Sequence, residues 1–368
     1  MSKVNETTLE INLQSLAHNY NFLRSKVDKK TKFMGVVKAF AYGSDSVEIA
    51  KKLTDLGTDF LAVAYPQEGI SLKKAEIKTP ILVFHPLPTH FEEIIKHELI
   101  PSIFSKNNLI EFIKTAEKLN QKNYPIHLKF NTGLNRLGFE EKDIDFILEK
   151  IKQTSAVKIS GIFSHLAASE DENEKEFTLK QIEKFQGFSK KITIHSEEKI
   201  LKHICNTSGI LNFPQAHFDM VRSGIGLYGY GNAVEIDKKL KPIAALKTII
   251  SQIHHLQKGD SVSYNRKFKA EKEMKIATLP LGYADGIHRS FGNEKSKVFL
   301  NGKFAPIIGE ICMDMIMIDI SAINCKEGEE VLIFGEEQSA EKLAKSVNTI
   351  SYELITGISQ RVKRTIIH

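Results

Sequence analysis

Short apolar runs rich in β-branched and aromatic residues recur eight times in the first 230 residues of the chain. Between most of them, hydrophobic positions return every three or four residues, as in Leu109–Leu119 and Ile144–Ile151, which predicts amphipathic helices. Eight strands alternating with helices predict an α/β fold, a (β/α)8 TIM barrel. The predicted strands are Phe33–Ala39, Phe60–Ala64, Ile81–Phe84, Ile100–Ile103, Ile126–Phe130, Ile159–Ser164, His203–Asn206 and Met220–Gly229.

The helical pattern stops near Lys241, where short β-type runs separated by glycine turns begin. This change predicts a separate C-terminal β domain, with one helical stretch in SAEKLAKSV. The opening TTLEINL is strand-like and precedes the first predicted helix, Leu13–Val27. We therefore expect residues 1–11 to form a strand that joins the C-terminal domain, residues 12–238 to form the barrel, and residues 239–368 to form the β domain.

Composition narrows the classes of partner. Lys and Arg number 51 against 45 Asp and Glu, a net charge of +6, and the basic residues are scattered rather than clustered. A nucleic-acid partner is therefore not expected, whereas the charge does not exclude an anionic small molecule as a ligand. The three cysteines, Cys205, Cys312 and Cys325, are widely spaced without a C-x-x-C pair, so no disulfide or metal site is expected. No apolar run reaches membrane-spanning length, and we expect a cytoplasmic protein with no membrane partner.

Reactive side chains follow the predicted barrel strands at their C-terminal ends, where (β/α)8 barrels hold their active sites. Lys38 ends the first strand, His165 follows the sixth, and Arg222 lies on the eighth. Desolvation and neighbouring cations lower the pKa of an amine, which frees its lone pair to form a Schiff base. The hydroxyls and glycine N–H groups of 206–208 and 223–226 fall where such barrels commonly bind phosphate. A nucleophilic lysine and a phosphate cradle in one mouth point to pyridoxal 5'-phosphate (PLP).

Nine ordered motifs along nearly the whole chain resemble those of the alanine racemase family, fold-type III PLP enzymes. The motifs are VVKAFAYGSD, FNTGLNRLGF, FSHLAASE, HICNTSGIL, FDMVRSGIGLYGY, VSYNRKF, LPLGYADG, GEICMDMIMID and ISYELITGISQRVKR. The resemblance implies interconversion of L-alanine and D-alanine, which supplies D-alanine for peptidoglycan. It also implies a head-to-tail homodimer in which the β domain of the partner subunit completes each active site.

The resemblance also implies residue roles. Lys38 would carry the cofactor, Tyr264 would be the second catalytic base, and Arg222 would face the pyridine nitrogen with His165 linked to it. Arg136 and the backbone of Met313 would hold the substrate carboxylate, with Met313 supplied by the other subunit. The remaining residues implied at the site are Tyr42 and Tyr352 as phosphate-binding phenols, Asn206, Thr207, Gly224 and Ile225 around the cofactor, and Lys129, Cys312 and Asp314 in supporting positions.

The chemistry of racemisation supports two of these roles independently. Two bases on opposite faces of a planar intermediate remove a proton from one side and return it on the other. Lys38 and Tyr264 have ordinary pKa values of about 10.4 and about 10, so both need cationic neighbours that favour the basic form. An arginine such as Arg222 stays protonated, leaves the pyridine nitrogen without a proton, and weakens the cofactor as an electron sink. Side reactions such as transamination then become slower.

Several of these side chains also have ordinary structural interpretations. His165 fits a hydrogen-bonded core histidine, and Tyr264 in SVSY fits a half-buried strand position. Asp285 and Arg289 in GYADGIHR fit a surface ion pair, which would contribute little to stability.

The chain departs from the usual family pattern at several positions. The family usually shows VKANAYGHG, and in this chain Phe40 replaces the asparagine of that motif and Ser44-Asp45 replace its His-Gly. Asn131 replaces an aspartate, and Ser223 replaces a proline. Glu310 replaces an arginine, which would reverse a charge if it lines the substrate entrance. Lys129 falls where some relatives carry a carbamylated lysine, and a plain lysine or one beside a bound anion remains an alternative.

Three other functions compete with an alanine racemase. A racemase with a broader substrate range, such as one for serine or lysine, would share the fold, because only a few residues at the entrance set which amino acids are accepted. A fold-type III decarboxylase would place an acidic residue at the pyridine nitrogen, which Arg222 argues against. A non-catalytic PLP-binding protein would lack the C-terminal β domain and its Tyr264 and CMD motifs.

Overall fold

The structure, a computed structural model, describes residues 4–194, 196, 198–231 and 234–368. Residues 1–3 of the predicted first strand lie outside the described residues. Strands and helices alternate through the first part of the chain. In order they are β1 (Thr8–Asn12), α1 (Leu13–Arg24), β2 (Lys32–Val36), α2 (Lys38–Gly43), α3 (Ser46–Asp55), β3 (Phe60–Val63), α4 (Pro66–Lys74), β4 (Ile81–Val83), α5 (Phe91–Lys96), β5 (Ile100–Ile103), α6 (Lys106–Lys118), β6 (Tyr124–Lys129), α7 (Ile144–Lys152), β7 (Val157–Phe163), α8 (Lys175–Thr193), β8 (Leu201–His203), α9 (Thr207–Asn212), β9 (Met220–Ser223) and α10 (Val234–Asp237).

Strands β2 to β9 form one parallel sheet in the order β8-β7-β6-β5-β4-β3-β2-β9. The two edge strands meet through backbone hydrogen bonds, in which Asp219 donates to Lys202 and Arg222 donates to Cys205, each at 3.1 Å. The sheet therefore curls into a barrel, and the predicted (β/α)8 fold is confirmed. The C-terminal ends of these strands collect at one mouth.

The helices cover the barrel with the apolar faces that the sequence pattern predicts. In α6, Leu109, Phe112, Ile113 and Ala116 are buried at helical spacing, and the Ser105 side chain accepts a hydrogen bond from the N–H of Asn108 at the start of the helix. Fully burying a leucine or phenylalanine stabilises a fold by about 1.5–3 kcal/mol. One such face is enough to fix each helix against the strands.

The first barrel strand ends earlier than predicted. β2 stops at Val36 instead of continuing to Ala39. The next residues form the short segment α2, in which Ala39, Phe40, Ala41 and Tyr42 all have left-handed backbone conformations with φ of 53–55°. Such a conformation costs about 1–2 kcal/mol per residue for residues other than glycine. The lysine of the site therefore begins a strained turn rather than ending a strand.

The rest of the chain is mostly sheet, as predicted. Its elements are β10 (Ala244–Ile249), β11 (Gln252–Leu256), β12 (Ser261–Val262), β13 (Phe268–Lys269), β14 (Met274–Leu279), β15 (Lys297–Leu300), β16 (Lys303–Ile308), β17 (Ile316–Asp319), β18 (Glu330–Phe334), α11 (Ala340–Lys345), α12 (Ser351–Thr356) and β19 (Lys363–Ile367). α11 lies within the predicted helical stretch, whereas α12 was not predicted. β1 lies in the nine-stranded C-terminal sheet, antiparallel to β10 and parallel to β19.

Candidate active site

A cavity of about 680 Å³ opens at the C-terminal mouth of the barrel. It draws side chains from the ends of β2, β6, β7 and β9 and from α9 and α12. Most of the residues that the sequence places at the site line it: Lys38, Tyr42, Lys129, Arg136, His165, Asn206, Thr207, Arg222, Gly224, Ile225 and Tyr352. The fold therefore brings together groups that are up to three hundred residues apart in the chain.

Lys38 is partly buried at the start of α2. Burial and the nearby Arg136 guanidinium lower the pKa of the Lys38 amine, and the Glu68 carboxylate partly opposes them. A lowered pKa raises the fraction of neutral amine at physiological pH. The neutral amine is the form that attacks a carbonyl or accepts a proton.

Arg222 lies buried at the floor of the cavity and is held by four acceptors. Its Nη1 donates to Nδ1 of His203 at 2.8 Å, and its Nη2 donates to the Ser164 and Ile204 carbonyls at 2.8 and 3.1 Å and to Nδ1 of His165 at 3.2 Å. Burial lowers the pKa of Arg222 to about 10, so the guanidinium stays protonated at neutral pH.

The two histidines beside this guanidinium are neutral. Burial, followed by the charge of Arg222, holds the pKa of both His165 and His203 well below 6.5. Each ring therefore offers an unprotonated Nδ1 to the arginine and keeps its proton on Nε2. The Nε2 of His203 in turn lies 3.1 Å from Nδ1 of His127, which makes a buried chain of hydrogen bonds inside the barrel.

A second wall of the cavity is lined by hydroxyls and glycine. Tyr42 is buried and stacks on Tyr228 with 4.4 Å between ring centroids. Its hydroxyl points at Gly224, where a Cβ would lie only 2.2 Å from the Tyr42 Oη. Ser208 Oγ is buried without a hydrogen-bond partner among the described residues. A buried hydroxyl in this position is available to a ligand oxygen.

Asn206, which caps α9, and Thr207, which begins it, shape the same wall. The Asn206 Oδ1 accepts from the N–H of Gly209 at 2.8 Å and from the Ser169 hydroxyl at 2.7 Å. The Thr207 Oγ1 accepts from the N–H of Gly226 at 3.2 Å. These bonds fix the loop next to the glycine backbone that follows β9.

Lys129 extends the positive charge of the mouth. Burial and, after it, the charges of Arg136, Arg222 and Lys38 lower the pKa of Lys129 to about 8. Its ammonium lies over the Phe163 ring, 5.9 Å from the centroid. The neutral amine that carbamylation requires is thus accessible near physiological pH, and the carbamate remains one of the alternatives.

The remaining sequence-assigned residues lie outside the cavity. Tyr264, Met313, Cys312 and Asp314 belong to the C-terminal domain and do not line it. Tyr264 begins a 3₁₀ turn and its side chain is 68% exposed, so the interpretation as a half-buried strand residue is wrong. Met313 is 53% exposed. Within one chain, therefore, neither Tyr264 nor Met313 lines the cavity that holds Lys38.

The loop that carries Met313 is nevertheless rigidly supported. The N–H of Tyr283 donates to the Cys312 carbonyl, and that of Ala284 donates to the Met313 carbonyl, both at 3.0 Å. Gly282 permits this close approach, since a Cβ there would lie 2.2 Å from the Cys312 carbonyl oxygen.

An arginine that the sequence analysis did not single out locks this loop. Arg361 donates to both oxygens of Asp285 at 2.7 and 3.0 Å and to Asp314 at 2.7 Å. The expected surface pair between Asp285 and Arg289 is wrong, because Asp285 is buried against Arg361 and Arg289 pairs with Glu310 instead. Only the QRVKR motif near the C-terminus pointed to this arginine.

A parallel barrel with a partly buried lysine of lowered pKa and a buried arginine at its C-terminal mouth is the arrangement of a (β/α)8-barrel enzyme. Residues 11–232 match the family described as Alanine racemase, N-terminal domain, and residues 243–366 match Alanine racemase, C-terminal domain. The chain therefore belongs to the alanine racemase family, a family of isomerases.

Individual relatives agree over nearly the full length. Alanine racemase 1 of Clostridium acetobutylicum is 40% identical over 370 residues, which span 97% of this chain and 94% of that protein. A solved alanine racemase of Clostridium difficile 630 superposes with a TM-score of 0.92 at 35% identity, covering 100% of this chain and 97% of that one. Alanine racemase from Bartonella henselae with covalently bound pyridoxal phosphate gives a TM-score of 0.90 at 28% identity, covering 98% and 99% of the two chains.

No helix in the described ranges is long and apolar enough to cross a membrane.

Proposed function

We propose that this chain is a PLP-dependent alanine racemase that interconverts L-alanine and D-alanine. The observation that carries the proposal is the shared cavity of Lys38 and Arg222, in which an amine of lowered pKa faces a guanidinium held by two neutral imidazoles. A permanently charged donor at that floor suits an unprotonated pyridine nitrogen and disfavours the chemistry of PLP decarboxylases.

The residues of the cavity fit PLP. The unpartnered Ser208 Oγ and the Gly224 backbone, beside the Tyr42 hydroxyl, offer donors to a phosphate without steric obstruction. Asn206, Thr207, Ile225 and Tyr352 would complete that pocket, Lys38 would hold the cofactor's aldehyde carbon, and Arg222 would bind its ring nitrogen. When bound, PLP would withdraw electrons from the substrate Cα and so acidify its proton.

The protein supplies the rest of the reaction. Arg136 and Lys129 give the mouth a positive potential that draws in the substrate carboxylate. The Nζ of Lys38 takes up or returns the α-proton on one face, and burial among cations keeps that amine in its basic form. On the opposite face, Tyr264 of the partner subunit exchanges the proton.

The second base requires a second copy of the chain. Tyr264 and Met313 are exposed and lie outside the cavity of their own chain, which supports a homodimer in which each β domain caps the barrel of its partner. Mixing inactive Lys38→Ala with inactive Tyr264→Phe should then restore activity in hybrid dimers that hold one intact site. No recovery after demonstrated subunit exchange would contradict shared sites.

The assignment to D-alanine supply for peptidoglycan, in the cytoplasm, is part of the same proposal. The three cysteines are unpaired, which accords with a reducing compartment. The direct test is to purify the chain, titrate it with PLP and measure the formation of D-alanine from L-alanine. Serine and lysine measured in parallel separate a narrow from a broad racemase. A protein that binds PLP but racemises none of the three would be a carrier rather than an enzyme.

A further inference from the structure

The strained turn α2 directly follows the lysine of the site. Four successive non-glycine residues, Ala39 to Tyr42, adopt left-handed conformations. Such strain persists only where the surroundings hold the backbone in place. The Phe40 side chain cannot provide that restraint through burial, because it is 57% exposed. Other contacts must hold the turn.

One end of the turn is held by Glu68, the third residue of α4. One of its carboxylate oxygens accepts from the N–H of Ala39 at 2.5 Å. The other oxygen accepts from the N–H groups of Ala64 and Tyr65 at 2.8 and 3.0 Å. A single carboxylate thus ties the first left-handed residue to the end of β3 and the start of α4. Hydrogen bonds to a charged acceptor are about twice as strong as neutral ones.

The other end of the turn is held by the C-terminal part of the chain. Arg364 donates from Nη2 to the Gly43 carbonyl at 2.9 Å. Gly43 itself packs so closely that a Cβ would lie 2.0 Å from the Ile355 carbonyl oxygen. At its entrance, where Lys38 lies, backbone bonds from the N–H of Val37 to the Ala62 carbonyl at 2.8 Å and from the N–H of Ala41 to the Val37 carbonyl at 3.0 Å act together with the Glu68 side chain.

Glu68 also contributes charge. It opposes the effect of burial and of Arg136 on Lys38, because its negative charge raises the pKa of the amine. The carboxylate therefore has two separable effects, one on backbone geometry and one on the electrostatic potential at the amine.

We propose that Glu68 is a positioning residue of this site: its carboxylate holds the left-handed turn and thereby fixes the Lys38 amine and the Tyr42 phenol in the cavity. The inference deepens the proposed function and rests on it for the identity of the ligand. Glu68 does not line the cavity, and in this proposal it acts through the backbone of Ala39.

Two substitutions at Glu68 separate the effect of its side-chain length from the effect of its charge. Glu68→Gln keeps the length but leaves one acceptor oxygen, so it cannot serve Ala39 and the α4 amides together. Glu68→Asp keeps the charge but is one methylene shorter. We expect each variant to weaken PLP binding by about tenfold or more, measured by titration of the full-length chain. Asp143→Asn is the matched control, because Asp143 accepts from the N–H of Glu140 at 3.0 Å at a helix start outside the cavity.

A second readout needs no cofactor. The pH dependence of Lys38 acylation, followed by peptide mapping in the full-length chain, reports the ionisation of the amine directly. The midpoint should move to lower pH in Glu68→Gln and stay near the wild-type value in Glu68→Asp and Asp143→Asn. A residue that merely capped α4 would leave the midpoint unchanged in all three variants.

A rescue experiment tests the backbone part of the proposal. Glycine adopts a left-handed conformation freely, and Ala39 is exposed, so Ala39→Gly removes strain without creating a cavity. Ala39→Gly added to Glu68→Gln should recover most of the PLP affinity while leaving the acylation midpoint shifted. Failure of that rescue would overturn the positioning role, as would a Glu68→Gln variant with wild-type affinity and an unshifted midpoint.

These outcomes are distinct from failure of the proposed function. If the wild-type chain bound no PLP, the racemase proposal would fail, yet the acylation midpoints would still decide whether Glu68 acts on Lys38. If Glu68→Gln did not fold, the affinity of Glu68→Asp would decide the geometric part.

Discussion

Replacing Gly224 by alanine tests whether the Tyr42 hydroxyl and the glycine backbone form one tightly packed wall. A methyl group at Gly224 would lie 2.2 Å from the Tyr42 Oη and 2.9 Å from its Cζ. Real Cβ contacts essentially never fall below 3.0 Å, so one of the groups must move by at least about 0.8 Å. Tyr42 cannot retreat easily, because it is buried and stacked on Tyr228.

Overpacking of this kind typically destabilises a fold by about 1–3 kcal/mol. We expect Gly224→Ala to lower the free energy of unfolding by that amount, measured by urea denaturation of the full-length chain. Because displacement of Tyr42 also distorts the proposed phosphate pocket, PLP affinity should fall by about tenfold or more. Gly187→Ala is the control: a Cβ there meets nothing within 4 Å in α8, and alanine should stabilise the helix by up to about 1 kcal/mol.

A double substitution identifies the cause of the effect. Tyr42→Phe removes the hydroxyl that makes the closest contact, so Gly224→Ala should cost less stability in that background than in the wild type. PLP affinity should stay low in the double variant, because the hydroxyl is a proposed phosphate ligand. Gly224→Ala with wild-type stability and affinity would refute the packing argument. An equal loss in Gly187→Ala would show that the effect is not specific to the cavity.

Three further predictions follow from the same geometry. Borohydride reduction followed by peptide mapping should find a pyridoxyl group on Lys38. A label on another lysine would contradict the proposal that Lys38 carries the cofactor. Tyr264→Phe should still bind PLP but slow racemisation by at least ~10²-fold. In this variant, loss of the α-deuterium, followed by mass spectrometry, should slow far more for L-alanine than for D-alanine. Equal slowing for the two enantiomers would contradict a base that acts on one face. Lys129 has a folded pKa of about 8, below its unfolded value, so wild-type stability should rise with pH from about 8 to 10.5. Lys129→Met should therefore gain up to about 3 kcal/mol at pH 7 in the cofactor-free chain, with the gain shrinking by pH 10 in urea titrations.

Periodicity predicted the barrel, because most of its strands and helices bury a local apolar pattern, but it misplaced some boundaries: the seventh barrel strand is Leu201–His203 rather than His203–Asn206, and the eighth ends at Ser223 rather than at Gly229. The left-handed turn after Lys38 was not predictable in the same way. Nothing in VVKAFAYG favours positive φ, and the sequence reads as a continuing strand. Its contacts come from distant parts of the chain: Glu68, which accepts from the N–H of Ala39, lies 29 residues away, and Arg364, which donates to the Gly43 carbonyl, lies 321 residues away.

Long-range ion pairs explain the other wrong expectation at the site. Asp285 and Arg289 are close in sequence and oppositely charged, which favours a local pair. The fold instead places Arg361, 76 residues away, against Asp285 and beside Asp314.

The charge distribution at the mouth connects the folding of this chain with its proposed ligand. Four cationic side chains, Lys38, Lys129, Arg136 and Arg222, line the cavity, and none of the described residues that line it is acidic. Burial lowers the pKa of Lys38, Lys129 and Arg222, and the neighbouring cations lower the pKa of the two lysines further, so the charges of the cluster oppose folding. The phosphate of the proposed cofactor and the carboxylate of the proposed substrate would neutralise this cluster at two points, and their binding would gain affinity from the repulsion that they relieve. The positive potential of this cluster, which includes the Arg136 charge that lowers the pKa of Lys38, accords with the anionic cofactor and anionic substrate proposed above. The net charge of the whole chain, only +6, would not provide that selectivity.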